Sequence, residues 1–227
     1  MTAVHFGDSE KLPDNLLSRL LQHFNKYSLA NADLESPDIL GNSYEYLIRE
    51  FADDSGKKGG EFYTPKEVVQ LLVQLIKPEA GNTIYDPTCG SGGMLIESAK
   101  YIANNGGMVG EFVDCTLKGQ EKNLGTWAIC KINMIVHNFK DSDIRKGDTL
   151  GSPKHTQNGE LETFDRVIAN PPFSLSNWWE AAEVDLKNDA SGKPIAPKYN
   201  EVVSDEYGRF KYGIPPRGYG DLAFLQH

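Results

Sequence analysis

The chain has 227 residues and a net charge of −9, from 23 basic and 32 acidic side chains. A hydrophobic content of 39% and a charged content of 24% fit an ordinary globular protein. No run approaches the roughly 18 apolar residues of a membrane helix, and so acidic a chain is a poor general binder of polyanions.

In chain order, Leu16, Leu17, Leu20, Leu21 and Phe24 recur at helical spacing and predict a helix over 14–25. A second helix is predicted over "ILGNSYEYLIREFA", with Tyr44, Leu47, Ile48 and Phe51 on one stripe. "DDSGKKGGEF" is a glycine-rich, charged connector. Residues 1–55 therefore read as a short helical N-terminal segment, ahead of a main domain over 56–227. In "YTPKEVVQLLVQLIKP", Thr64 is placed to N-cap a helix, with Pro65 at its first position and Glu67 completing a capping box. That helix is predicted to run to about Lys77.

Next come a strand at "NTIYD", a tight loop at "PTCGSGG" and a helix at "MLIESAKYIANN". A second strand is predicted over "FVDCTLKGQE", a long helix over "NLGTWAICKINMIVHNF", a strand and turn over "DIRKGDTL" and a fourth strand over "FDRVIAN". Such alternation predicts an α/β fold, a doubly wound, mostly parallel sheet with helices on both faces. Residues 151–163 and 181–218 read as polar loops. The closing "DLAFLQH" is apolar and helix-like with no stop signal, so the domain reads as incomplete at its C-terminal end.

Cys89, Cys115 and Cys130 are odd in number and widely spaced, which favours free thiols in a reducing cytoplasm. Five scattered histidines offer no zinc pattern, and no metal is expected. The N-terminus has no basic flank ahead of an apolar run, so it does not read as a secretory signal.

The chemistry gathers at four predicted strand ends. Gly90, Gly92 and Gly93 in "YDPTCGSGGM" let the backbone turn sharply at the carboxyl end of a parallel strand, where open α/β sheets bind ligands. A glycine turn of this kind also serves as a plain tight connection. Glu121 ends the second strand, where a carboxylate can accept both ribose hydroxyls of a nucleoside. Asp148, at the end of the third, can accept from an adenine amino group. Each acid alone also suits a helix cap or a solvated surface. Together they outline an adenosine-shaped site without the lysine signature of a phosphate loop.

The fourth strand runs into "NPPF". The amide oxygen of Asn170 can accept from an exocyclic amine. Backbone carbonyls at Asn170 and Pro171 add acceptors, and neither Pro171 nor Pro172 has an N–H to compete. Two acceptors on one amine direct its lone pair at an electrophile. Phe173 offers a flat face on which a base can stack. A pocket of this kind reaches a base only after the nucleotide is flipped out of the duplex. A proline-terminated strand with a buried phenylalanine accounts for the same four residues without chemistry.

"NPPF" resembles the catalytic motif of amino-group methyltransferases, and "DPTCGSGGM" resembles their S-adenosylmethionine loop. "GGEFYTP", "GQEKN", "GDTL" and "DLAFLQH" are similar to the modification subunit of type I restriction-modification systems, over about residues 37–227. The resemblance implies transfer of a methyl group from S-adenosylmethionine to the N6 amine of adenine in DNA. It implies that Glu61, Phe62, Tyr63, Thr64, Pro65 and Lys66 flank the methionine end of the cofactor. Asp86, Gly90, Ser91, Gly92 and Gly93 would hold its amine and carboxylate side, Glu121 the ribose, and Asp148 the adenine. Asn170, Pro171, Pro172 and Phe173 would hold the target base. Implied partners are DNA and a specificity subunit, with a second modification subunit and a restriction subunit as further candidates.

Other readings are an amino-group methyltransferase acting on RNA or a protein glutamine, and a non-catalytic fragment that keeps the cofactor fold. Lys57, Lys58, Arg209, Lys211 and Arg217 are candidates for phosphate contact. Cys89 reads as a small packing residue and not a nucleophile. Trp178 and Trp179 suit core or lid packing, or a clamp on a flipped base.

Overall fold

The computed structural model describes residues 13–28, 39–54, 63–175, 178–179, 205–216 and 218–227. Its centre is a four-stranded parallel sheet of order β5–β4–β1–β8. The strands are β1 (Thr83–Asp86), β4 (Thr116–Glu121), β5 (Asp143–Lys146) and β8 (Arg166–Val167). β1 pairs with both β4 and β8, so the glycine-bearing loop that follows β1 emerges mid-sheet.

Helices α3 (Lys66–Ile76), α4 (Gly93–Asn104) and α5 (Leu124–Val136) cover one face. Their buried residues Val69, Val73, Leu95, Ile96, Cys130 and Met134 form one core with Ile84, Leu117, Ile144 and Ile168 of the strands and their extensions. The register sets Ile84 beside Leu117 and Gly119 beside Ile144, so these apolar residues share a face through the two-residue strand period. The opposite face carries residues 152–164 and the short helix α6 (Asp221–Gln226). There Tyr85 stacks on Phe164 with ring centres 4.3 Å apart, and buried His155 bonds the Gly119 carbonyl at 2.9 Å.

Several predicted boundaries shift. The second strand is broken into β3 (Phe112–Val113), which pairs with β2 (Met108–Val109), and β4 after it. The loop expected over 151–163 contains a hairpin, β6 (Thr156–Gln157) with β7 (Glu160–Leu161). Its turn is Asn158–Gly159, both at positive φ (55° and 83°), which is the strongest short-range hairpin signal in sequence. α3 begins one residue later than expected and ends at Ile76, with Lys77 left-handed at φ 45°. Its N-cap is Pro65, without a side-chain cap, so the Thr64–Glu67 capping box does not form.

α1 (Asp14–Phe24) keeps its apolar stripe exposed, with no buried residue. α2 (Ile39–Asp54) packs against α5 and buries Ile48. Leu47, expected on the same stripe, points outward, and the Phe51 side chain lies outside the described residues.

Candidate active site

The loop from β1 to α4 is built by backbone hydrogen bonds. Cys89 N–H donates to the Gln120 carbonyl of β4 at 3.0 Å, and Gly92 N–H donates to the Cys89 carbonyl at 2.7 Å. Gly90 and Gly92 adopt φ of 54° and 84°, the left-handed region that disfavours side chains. A Cβ on Gly92 would also stand 2.8 Å from Cys130 Sγ. Gly93 differs, because a Cβ there would meet nothing within 4 Å and would project into open cavity. Cys89 is buried with its sulfur 3.9 Å from that of Cys130, which makes it a packing residue of the loop.

Three acids line the strand ends. Glu121 accepts Gly90 N–H at 3.1 Å and Asn123 N–H at 2.7 Å, which ties the β4 end to the glycine loop. Burial outweighs those bonds and raises its pKa. Asp86 is fully buried, and its Oδ1 accepts Thr88 N–H at 2.9 Å. Its Oδ2 has no partner among the described residues. Burial, reinforced by the nearby Glu121 charge, pushes the Asp86 carboxyl up to about 7 in spite of the Thr88 bond. Asp148 Oδ1 accepts Leu150 N–H at 3.0 Å and Gly151 N–H at 3.2 Å, while Lys122 Nζ lies 2.7 Å from Oδ2. Part of the acceptor capacity expected for an adenine is thus already engaged.

Asn170 lies three residues beyond β8, on a chain still attached to the sheet by Ile168 N–H donating to the Tyr85 carbonyl at 3.0 Å. Its Nδ2 donates to Thr64 Oγ1 at 3.1 Å. The hydroxyl expected to cap α3 therefore serves the strand-ending amide instead. A gap of about 30 Å³, near the share of one water, separates Asn170 and Thr64 from Gly90, Ser91 and Gly93. It shares Tyr63, Thr64, Ser91 and Gly93 with a larger cavity of about 350 Å³, which Lys66 also lines.

Phe173 is 76% exposed, so the reading of a buried phenylalanine fails. With half-buried Pro171 it lines a groove of about 760 Å³ whose far wall is Leu222, Phe224 and Leu225 near the chain end. Ser174, at φ 52°, donates its N–H to both carboxylate oxygens of Asp221 at 3.1 and 3.2 Å. α6 thereby pins the turn that presents Phe173.

The structure thus brings Tyr63, Thr64, Lys66, Gly90, Ser91, Gly93 and Asn170 around two cavities that share lining residues, with Asp86 and Glu121 bonded to the loop. Pro65 and Pro172 are exposed. Glu61, Phe62, Lys57, Lys58 and Arg217 lie outside the described residues. Arg209 is no surface phosphate contact. It is 7% exposed, pairs with Asp205 at 2.8 Å and donates to the carbonyls of Thr149 at 3.2 Å and Leu150 at 2.8 Å. Trp178 is a core residue, packed with Leu150, Phe210 and Ala223 in a second cluster. Sequence reading missed Asn133, a cavity-lining amide whose Nδ2 donates to the Ser91 carbonyl at 2.9 Å. Its signal was a polar residue on the buried stripe Cys130–Asn133–Met134.

Among the described residues, Asp86 Oδ2 and Asn133 Oδ1 are buried acceptors without a partner, and Asn133 lines the cavity that Gly93 leaves open. The sequence model for N-6 DNA Methylase matches residues 35–227. The chain belongs to the N-6 DNA Methylase family. It is 32% identical over 209 residues to the type I restriction enzyme HindI methylase subunit of Haemophilus influenzae, covering 90% of this chain and 40% of that one. It is 33% identical over 226 residues to the MjaVIII methylase subunit of Methanocaldococcus jannaschii, covering 94% of this chain and 34% of that one. This N-6 DNA Methylase chain therefore spans well under half the length of these curated relatives.

Among solved structures, a type I restriction-modification methyltransferase subunit from Streptococcus thermophilus superposes with a TM-score of 0.69 at 27% identity, over 94% of this chain and 40% of that one. A candidate class I S-adenosylmethionine-dependent methyltransferase from Listeria monocytogenes shares the fold, with a TM-score of 0.53 at 14% identity over 71% of this chain and 47% of that one.

Proposed function

We propose that this chain is the methyl-transferring part of a type I modification subunit, moving a methyl group from S-adenosylmethionine to the N6 amine of an adenine flipped out of DNA. The observation that carries this reading is the seat of Asn170, held by Thr64 across a water-sized gap from the glycine loop. The residues present fit the donor. In this reading Glu121 takes the ribose hydroxyls and Asp148 the adenine edge, and Ser91 and Gly93, which line the gap, take the amino-acid side with buried Asp86 behind the loop. S-adenosylmethionine, when bound, supplies an electrophilic methyl on a positively charged sulfur that leaves as a neutral thioether.

The chain's own residues do the rest by placement. Asn170 Nδ2 is occupied by Thr64, which leaves Oδ1 as the amide atom to accept from the base. That oxygen and the Pro171 carbonyl accept the two hydrogens of the N6 amine. The nitrogen lone pair then faces the gap, and the amine releases one proton to solvent as the new N–C bond forms. Phe173, exposed and braced through Ser174 and Asp221, stacks on the flipped base. Keeping the base extrahelical has to offset roughly a few kcal/mol of unstacking and unpairing.

Asn170→Ala is expected to abolish methyl transfer while cofactor affinity stays within about threefold, since the amide touches the acceptor and not the bulk of the donor. Labelled-methyl uptake by DNA, RNA and protein substrates, measured beside calorimetric cofactor binding, checks both halves. Retained turnover with lost cofactor binding would overturn the assignment. A specificity subunit is the partner this reading calls on for site choice, with a second modification subunit and a restriction subunit as further candidates. A net charge of −9 supports delegating most phosphate contact to such partners.

A further inference from the structure

Two tight turns lie beside the turn that presents Phe173, and no residue of either lines the two cavities around the glycine loop. In the first, Gly213 N–H donates to the Phe210 carbonyl at 3.0 Å, with Gly213 at φ 118°, a backbone that side chains disfavour. In the second, Tyr219 N–H donates to the Pro216 carbonyl at 3.0 Å. The turns present Tyr212 and Tyr219, which are 84% and 62% exposed. Apolar surface scattered singly over a protein needs no explanation. These two rings are neither scattered nor loosely held.

Each turn is anchored at its base. Phe210 is buried against Trp178, and the Pro216 carbonyl that receives Tyr219 also accepts Trp178 Nε1–H at 3.0 Å. The Gly213 carbonyl accepts from Gln226 of α6 at 3.4 Å. Gly220 N–H donates to the Leu175 carbonyl at 3.2 Å, and a Cβ on Gly220 would stand 3.0 Å from Trp178 Cβ, so the two backbones approach closely. With the bond from Ser174 to Asp221, this lays residues 219–221 alongside residues 173–175. Tyr219 and Phe173 are therefore presented from adjoining segments bonded to each other. Lys211 is exposed, with Nζ 4.9 Å from the centre of the Tyr212 ring. Two acids of the same stretch are engaged internally: Asp221 by Ser174 N–H, and Asp205 by Arg209 and by Phe210 N–H at 3.1 Å.

We propose that Tyr212 and Tyr219 are stacking positions for the DNA strand on either side of the flipped adenine, with Lys211 on a phosphate of that strand. The inference rests on the methyl-transfer reading above and extends its DNA contacts beyond Phe173. Flipping one nucleotide unstacks its neighbours, and the base faces so exposed match aromatic rings held in fixed positions. Stacking accepts any base, because every base has a π-face, which suits a chain that leaves site choice to another subunit. It also suits a net charge of −9, since stacking does not depend on neutralising many phosphates. A protein partner would bury the same rings, but their tie to the Phe173 turn favours the strand that Phe173 holds.

The test is fluorescence anisotropy of the full chain with a short labelled single strand of DNA carrying one central adenine, for which no base pair has to be opened. Tyr212→Ala and Tyr219→Ala are each expected to weaken binding about tenfold with an unchanged melting temperature. Tyr212→Phe and Tyr219→Phe should stay within about twofold, because the ring and not the hydroxyl makes the contact. Where alanine lowers the melting temperature, the leucine variants, apolar but without a ring, are expected to show the same loss. Lys211→Gln should lower the salt slope by about 0.7, the share of one phosphate on a single strand. Phe173→Ala separates the two possible failures. Tyrosine variants that bind like the wild type while Phe173→Ala binds weakly would overturn this inference and leave the methyl-transfer reading standing. A wild-type chain that captures no single strand would overturn both. Tyrosine variants that keep the strand and lose a specificity subunit would make the rings a protein contact, which also overturns the inference.

Discussion

At Asp86 burial and ionisation oppose each other. Its carboxyl keeps a proton up to about pH 7 in the folded chain, against an ordinary value of 3.8. The folded state therefore binds more protons than the unfolded one between those values, so this residue favours folding below pH 3.8 and loses that advantage as pH rises to about 7. Asp86→Asn should flatten the pH dependence of thermal stability across that window and raise the melting temperature at pH 8, as read by calorimetric scans. Gly93 tests the cavity directly. Gly93→Val meets no protein atom where its Cβ would begin, so folding is expected to survive while cofactor binding falls at least tenfold, measured by titration and melting side by side. Much of this scale was legible in the sequence. Gly90 and Gly92 adopt the conformations only glycine takes easily, and Glu121 and Asp86 sit at their strand ends. Thr64 was misread because one hydroxyl can serve either a helix cap or a distant amide, and only the tertiary structure decides which.

At the scale of elements, the polar stretch before the chain end turns out to be a fastening. Residues 205–210 are tied by Arg209 to the carbonyls of Thr149 and Leu150, next to Asp148, and Phe210 packs on Trp178 with ring centres 5.3 Å apart. The Arg209 and Asp205 side chains are 3% and 9% exposed, so deleting one leaves the other charge buried. Arg209→Met is expected to cost about 3–5 kcal/mol in denaturant unfolding. Lys211→Met, at an exposed neighbour, should stay within about 0.5 kcal/mol. Repeating periods made α3, α4, α5 and the parallel strands readable ahead of the structure. The fastening had no such period, since Arg209 meets Thr149 and Leu150, and Phe210 meets Trp178, across long stretches of sequence. The Asn158–Gly159 hairpin was readable and overlooked, because its strands are two residues each and fall below any alternation.

At the scale of the whole molecule, the net charge bears on the proposed division of labour between subunits. A chain at −9 gains little from releasing the counterions of a duplex. Fluorescence anisotropy is expected to show weak, shallowly salt-dependent DNA binding by this chain alone, and a steep salt slope once a specificity subunit is added. An equally steep slope without the subunit would contradict that division. The overall architecture followed from the alternation of strand and helix, whereas the packing of α2 against α5 did not, because Glu45 and His137 are too far apart in sequence for any local pattern to pair them. The bond between Thr64 and Asn170 also has a thermodynamic consequence. On the proposed roles, one contact joins the segment assigned to the donor to the amide assigned to the acceptor, a path by which occupancy of either side would bias the other. By reciprocity, the factor by which donor tightens base capture equals the factor by which a captured base tightens donor. A coupling of this kind would pass through a single threonine hydroxyl.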